Sequence, residues 1–205
     1  GGVGSNIQIH SVGYAPSSFY VYKQLYDENG NILEGQYEDV NKDGVVNSSD
    51  FYHYKSPNPY LTAGITGSIH ISNFDLSFAG RANLGNYVYN NVQTDMGYLN
   101  RAVASNGVLW NIHQSAIDNN VKDQSKLTFS DFFVRDASFF RIDHITLSYN
   151  LPNVFKGLRI YTTVQNPVVI TKYDGLDPEI GNGIDNNIYP RPRTFLGGAS
   201  VNFSF

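Results

Sequence analysis

Residues 195–205 read Phe-Leu-Gly-Gly-Ala-Ser-Val-Asn-Phe-Ser-Phe. From Ala199 onward the odd positions are apolar (Ala199, Val201, Phe203, Phe205) and the even ones small or polar (Ser200, Asn202, Ser204). Successive side chains on a strand point to opposite faces, so this segment is expected to form a strand with one greasy and one wet face. A tilted strand of about ten residues is long enough to cross a bilayer. A half-buried strand of a soluble sandwich shows the same alternation, so this segment alone leaves both architectures open.

Working outward, the same pattern recurs. Leu158, Ile160, Thr162 and Val164 alternate with Arg159, Tyr161, Thr163 and Gln165. A strand is expected from Phe139 to Asn150, with Ile145, Leu147 and Tyr149 alternating against His144, Thr146, Ser148 and Asn150; a short turn from Leu151 through Gly157 joins the two. Further back, Leu61, Ala63, Ile65, Gly67, Ile69 and Ile71 alternate with Thr62, Gly64, Thr66, Ser68 and His70. Ser72-Asn73 is the tight turn, and Phe74, Leu76, Phe78, Gly80, Ala82 and Leu84 return against Asp75, Ser77, Ala79, Arg81 and Asn83. These last two strands hold their alternation for about eleven residues, against about five or six in globular sheets. Long segments separate the pairs, over residues 85–136 and 167–193, and the short turns all fall on one side. Short turns at one end and long loops at the other fit a membrane barrel, and a soluble sandwich has no reason to keep that asymmetry.

Composition agrees. Charged residues are only 16%, against about 25% in soluble domains. The chain carries 15 Tyr, 13 Phe and 19 Gly, which suits strands with aromatic girdles. Net charge is -4 with no basic run, which argues against nucleic-acid binding. Cys is absent, which excludes disulfides and thiolate metal sites. No apolar run approaches the roughly 18 residues of a membrane helix. The sequence opens Gly-Gly-Val-Gly-Ser, so it is expected to be processed or to be one piece of a longer chain.

Between the segments lie the local motifs. Ser18 to Tyr26 is a plausible strand, and Asp27-Glu28-Asn29-Gly30 a turn. Residues 39–50 place oxygen side chains at the first, third, fifth, ninth and twelfth positions (Asp39, Asn41, Asp43, Asn47, Asp50), with Gly44 sixth. This is the spacing of an EF-hand calcium loop, in which Val45 would add its carbonyl. Hard oxygen donors favour calcium over transition metals. The twelfth residue is Asp where Glu is usual; it is one methylene shorter, which lowers the expected affinity. The flanks do not look like paired helices, so a stand-alone loop is expected, with the ion stiffening it; a polar loop without an ion is the alternative. In the first long excursion, Asp95 to Ser105 is expected to form a short helix, capped by Thr94 or Asp95 and stopped by Gly107, with Leu99 and Val103 on its inner face. Trp110, the only Trp, is a packed loop anchor or a stacking platform for a ligand.

Several blocks in order resemble the C-terminal part of SusC/RagA-type TonB-dependent transporters. They are Tyr37 to Asn47, Ser56 to Pro59, Asn73 to Ser77, Gly85 to Asn90, Ala137 to Pro152 (Ala-Ser-Phe-Phe-Arg-Ile-Asp-His-Ile-Thr-Leu-Ser-Tyr-Asn-Leu-Pro), Gln165 to Pro167, Thr171 to Glu179, and Tyr189 to Phe195 (Tyr-Pro-Arg-Pro-Arg-Thr-Phe). Pro167 departs from the large apolar residue expected after Gln-Asn. The resemblance implies an antiparallel outer-membrane barrel of about 22 strands closed by a plug. It also implies a SusD-like surface lipoprotein, an energy link to the TonB complex through the plug, and import of oligosaccharides or peptides. About six such strands are expected here. Open edges cannot face lipid, so the remainder of the barrel must come from residues outside this sequence.

Two other functions are compatible with parts of the sequence. A secreted calcium-stabilised β-sandwich binding glycans through Trp110 would have strands nearer six residues long. An enzyme could be imagined on Asp177 and Glu179 with His144 or His113 as base, but no nucleophile or matching partner accompanies them. No catalytic residue is expected.

Overall fold

A computed structural model describes residues 7–103, 107–123, 127–154, 157–186 and 188–201. The strands in chain order are β1 (Gln8–Ile9), β2 (Ser18–Val21), β3 (Gln24–Tyr26), β4 (Ile32–Tyr37), β5 (Tyr52–His53), β6 (Leu61–Ile71), β7 (Phe74–Leu84), β8 (Tyr87–Asn90), β9 (Val134–Asp136), β10 (Phe139–Leu151), β11 (Leu158–Thr171), β12 (Ile184–Asp185) and β13 (Thr194–Val201). Residues Asn202, Phe203, Ser204 and Phe205 of the expected closing strand, Ala104 and Ser105 of the expected helix, and Phe155 and Lys156 of the expected short turn lie outside the described residues. The chain divides into two units: 60–85, 138–172 and 189–205 form one, and 1–59, 86–137 and 173–188 the other.

The first unit is one antiparallel sheet, ordered β13-β11-β10-β7-β6. Each strand pairs with its sequence neighbour among these five, as in an up-and-down barrel. The strands run 11, 11, 13, 14 and 8 described residues, not the six of a sandwich. The tight turn after Ile71 puts Ser72 at φ 54°, and Ile71 faces Phe74 across it.

Two irregularities keep the faces in phase. In β10 the alternation breaks at Phe139-Phe140-Arg141-Ile142-Asp143-His144, because Phe140 and Ile142 are even while Ile145, Leu147 and Tyr149 are odd. The register resolves this. Ile142 pairs with Gly80 and His144 with Ala79, so Asp143 is an extra residue in β10. A bulge of one residue restores the side-chain phase that a period of two would otherwise lose. A second bulge falls in β11, where Asn166 takes φ 52°, a conformation Asn tolerates better than most residues. β11 therefore continues through Pro167 to Thr171, beyond its expected end at Gln165.

The result is one continuous apolar face. Ile69 is paired with Leu76, Leu76 with Leu147, and Leu147 with Thr162 in successive strands. Leu61, Ile65, Ile69, Ile71, Phe74, Ile160 and Phe195 of this face are exposed. In water so large an apolar surface is a liability, whereas in hydrocarbon it is the solvated side. Gly67 fills a particular need here: its cross-strand partner is Phe78, and a Cβ at Gly67 would lie 2.6 Å from Cζ of that ring.

The second unit carries its own core of Ile7, Phe19, Val21, Tyr89, Leu127, Phe133 and Ile184. It is built from the small sheets β1-β2-β5 and β12-β8-β9 and the hairpin β3-β4. The strand expected over Ser18 to Tyr26 belongs here and not to the long sheet. It is broken at Tyr22, whose N–H donates to Phe129 O and whose carbonyl accepts from Asp131 N, so β2 and β3 take different partners. The long sheet thus has five described strands where about six were expected.

The excursion helix also begins earlier than expected. Asn90 accepts from Gln93 N at 2.8 Å and caps α1 (Asn91–Met96). Gly97 ends α1 by donating to Gln93 O, where a Cβ would sit 2.3 Å from that oxygen. Leu99–Ala102 is only a 3-10 turn, and Val103 is exposed, not inward-facing. A second short helix, α2, spans Ser115–Asp118.

Candidate functional site

The face of the long sheet opposite the apolar one is mainly polar, with Phe139, Val169 and Leu196 among its apolar members. Near the β6–β7 turn, His70 Nδ1 lies 2.5 Å from Asp75 Oδ1, and Asn150 Nδ2 donates to Asp75 Oδ2 at 2.6 Å. Arg159 donates to Ser148 Oγ at 2.8 Å, and the Thr146 and Thr163 hydroxyls meet at 2.8 Å. Towards the far ends of the strands, Arg81 pairs with Asp143 at 2.9 Å. Arg141, 1% exposed, donates to Asn166 Oδ1 at 2.8 Å and lies over the Phe139 ring. Asn166 in turn donates to Arg191 O at 3.2 Å, tying the approach to β13 onto the β11 bulge. Alternation positions His70, Asp75, Arg81, Arg141, Thr146, Ser148, Asn150, Arg159 and Thr163 on this face, and the two bulges bring Asp143 and Asn166 to it. Such a wall is hydrophilic but internally hydrogen-bonded.

In the second unit, the 39–50 segment forms a compact loop whose oxygens are turned onto its own backbone. Asp39 accepts from the N–H of Lys42 at 2.6 Å, Asp43 at 3.2 Å and Gly44 at 2.8 Å. Asn41 accepts from Asp43 N, Asp43 from Val45 N, and Asn47 from Ser49 N, while Asn47 Nδ2 donates to Val45 O. Asp50, 0% exposed, accepts from Val40 N at 3.0 Å, Asn41 N at 3.2 Å and Asn47 N at 2.9 Å. The backbone donors, first that of Asn47, hold its carboxyl below the usual carboxylate range. Gly44 has φ 84°, which only glycine adopts freely, so the sixth position carries the sharp turn that the spacing called for. No group of three or more His, Cys, Asp or Glu side chains is gathered for a metal among the described residues. The donor chemistry fits a hard cation, since all donors are oxygens and a carboxylate has about four acceptor sites, of which Asp39 and Asp50 each commit three to N–H groups. Trp110 is 55% exposed and takes the Arg101 guanidinium 5.5 Å from its ring centre.

The sequence matches known proteins along almost all its length. It is 43% identical over 210 residues to the TonB-dependent receptor SusC of Bacteroides thetaiotaomicron, covering 98% of this chain and 21% of that one. The chain belongs to the SusC/RagA-type TonB-dependent receptors. It corresponds to their C-terminal part. The TonB-dependent receptor P3 of Formosa agariphila is 26% identical over 230 residues, covering 96% of this receptor chain and 23% of P3. The solved structure of the RagAB peptide transporter superposes with a TM-score of 0.73 at 22% identity, over 96% of this chain and 23% of that one, which shows the shared fold. The receptor chain therefore spans about a fifth to a quarter of the length of the relatives it matches. No family profile matches it. The five described long strands are part of a receptor barrel, and the receptor class is one of transporters, not enzymes. Of the residues weighed for catalysis, Asp177 Oδ1 accepts from Glu179 N at 2.9 Å as a turn, and His113 Nδ1 lies 2.8 Å from Ser115 Oγ. Sequence reading missed Arg141 and Asn166 as a polar-wall pair. The run Arg-Ile-Asp-His is where the alternation breaks, and that break was the signal for a bulge.

Proposed function

We propose that this chain lines part of an outer-membrane importer that brings oligosaccharides or peptides across by TonB-dependent transport. The single observation that carries this reading is the long sheet: one unbroken apolar face and one polar face, kept in phase by two bulges. The polar face lines the lumen, the apolar face meets membrane lipid, and the long loops meet substrate. β6 and β13, paired on one side only among the described strands, take the remainder of the barrel. A SusD-like surface lipoprotein acts as lid, and the TonB complex acts through the plug. Calcium held by Asp39, Asn41, Asp43, the Val45 carbonyl, Asn47 and Asp50 stiffens its loop; the oxygen spacing and the turn at Gly44 support this. Deleting the whole receptor gene, and separately the gene for TonB, and following uptake of labelled oligosaccharides and peptides tests the reading. Loss of the same uptake in both strains is expected. Unchanged uptake in the receptor deletion would overturn it.

A further inference from the structure

His144, Gln165 and Thr194 are direct cross-strand partners in β10, β11 and β13, on the polar face and level with the two bulges. The bulge residues beside them are already engaged. Asp143 pairs with Arg81 at 2.9 Å, and Asn166 Oδ1 accepts from Arg141 at 2.8 Å. The His144, Gln165 and Thr194 side chains, by contrast, make no hydrogen bond among the described residues. They are also within reach of solvent. Gln165 is exposed, His144 and Thr194 are half-buried, and no polar atom of the three is buried without a partner.

Together with Arg141, Asp143 and Arg191 this row lines an open cleft of about 370 Å³, which lies wholly within the unit of the long sheet. That volume falls at the low end of the usual range of roughly 300–1,000 Å³ and gives room for one sugar ring. The charge of the cleft is one-sided. Arg141 stands directly opposite Arg81 across β10 and β7, and like charges so placed destabilise a sheet. Among the described residues lining the cleft Asp143 is the only carboxylate, and Arg81 already pairs with it. Arg141, 1% exposed, acts through its field alone. Arg191 is exposed and can touch a ligand; its carbonyl accepts from Asn166 Nδ2 at 3.2 Å, which ties its backbone to the bulge in β11.

We propose that this cleft binds a uronic acid residue of the cargo, its carboxylate on the Arg191 guanidinium and its ring hydroxyls on His144, Gln165 and Thr194. This rests on the import reading, in which the polar face lines the lumen, and narrows the cargo to an acidic glycan. A guanidinium presents a fork of donors to a carboxylate, and such charge-assisted bonds are about twice as strong as neutral ones. In its neutral form the imidazole, like the amide and the hydroxyl, carries both a donor and an acceptor, as a sugar hydroxyl does. An ammonium group is repelled by the two guanidinium groups of the cleft. An acidic peptide would find only Pro192 as an apolar side chain to pack on.

The test uses the whole receptor, purified in detergent and titrated by saturation-transfer NMR. The probes are glucuronate and galacturonate, their neutral counterparts glucose and galactose, and N-acetylglycine as a carboxylate of peptide type. At least one uronate binds more tightly than its neutral counterpart and than N-acetylglycine, and Arg191→Gln weakens it about tenfold or more, the loss of a charge-assisted hydrogen bond. Gln165→Ala, at an exposed side chain without a partner, weakens the same uronate about threefold, the loss of a neutral one, without burdening the fold. Each variant must still shift on a gel when heated, as an intact barrel does; where Arg191→Gln does not, Gln165→Ala alone decides. If neither uronate binds, if the neutral sugar or N-acetylglycine binds as tightly, or if uronate binding survives the deciding variant unchanged, the proposal is wrong. TonB-dependent uptake by cells carrying the unaltered receptor is read separately. Its absence would sink the import reading while leaving a uronate signal in detergent intact, and uptake without uronate binding would sink this proposal alone.

Discussion

The Tyr52 hydroxyl donates a 2.6 Å hydrogen bond to Asp131 Oδ2, and Gln24 N donates to Oδ1 of the same carboxylate at 3.0 Å. Burial raises the Asp131 carboxyl above its ordinary value, although both hydrogen bonds pull the other way. The sign follows from linkage. In the window between the unfolded value, about 3.9, and the raised folded value, the folded state binds more proton than the unfolded one. Stability from this site is therefore greatest below that window and falls as pH rises through it. Asp131→Asn removes the titration. Hydrogen exchange of the 18–26 segment, compared at matched pH, is expected to show wild type losing protection relative to Asp131→Asn as pH rises from 4 to about 7. Parallel curves would refute the assignment.

Asp143 carries the phase of β10, and a deletion separates that role from its charge. Removing Asp143 erases the bulge and turns Arg141 onto the apolar face while Phe140 and Ile142 turn inward. An Arg facing lipid costs up to about 2–4 kcal/mol at the midplane and less near an interface. Asp143→Ala keeps the residue count and loses only the partner of Arg81. Heat-modifiability of the whole receptor is expected to vanish on deletion and to survive the alanine. Equal behaviour of the two would remove the phase argument.

The long sheet was legible because its signal is a period of two held over whole membrane-crossing strands. β6 and β7 emerge residue for residue, with their turn at Ser72-Asn73. What the sequence did not yield were places where two local rules compete. At 139–144 the alternation changes parity, and only pairing with β7 and β11 shows the change to be one bulge. At 18–26 a run dense in aromatic residues meets the criteria for a strand, yet Tyr22 bonds to Phe129 and Asp131, more than a hundred residues on, and splits it. The helix expected from Asp95, with Thr94 or Asp95 as its cap, instead spans Asn91–Met96, because the Asn90 side chain caps it one turn earlier. The row of His144, Gln165 and Thr194 lacks any motif; it comes from the register of β10, β11 and β13.

Gly67 and Phe78 test packing on the lipid face. The ring lies where a Cβ at Gly67 would stand, at 2.6 Å from Cζ, while Gly64 has nothing within 4 Å. Gly67→Ala must turn the ring aside, at a cost of about 0.5–1.5 kcal/mol for an off-rotamer side chain. Gly64→Ala is expected to stay within about 0.5 kcal/mol of wild type. Urea unfolding of the barrel in detergent measures both, and a Gly67→Ala midpoint no lower than that of Gly64→Ala would contradict the contact.

Asp50 ties the 39–50 loop together with or without an ion. Its carboxylate takes the N–H groups of Val40, Asn41 and Asn47, and these donors depress its folded value below the unfolded one. The unfolded chain therefore binds more proton in that window, and the contribution is fully present above about pH 3.9 and lost as pH falls through the folded value. Asp50→Ala strands three N–H donors and is expected to open the loop to protease at neutral pH, whatever the metal. Calcium adds a second, separable effect. If the loop binds it, chelation of wild-type receptor raises cleavage within residues 39–50, and calcium, but not magnesium at the same concentration, restores protection, since the smaller ion gives up its waters reluctantly. In Asp39→Asn the calcium response is reduced while the N–H bonds to the side-chain oxygen can persist. Cleavage that ignores both chelator and calcium in the wild type would leave the loop stabilised by its hydrogen bonds alone and would remove the ion from the proposal.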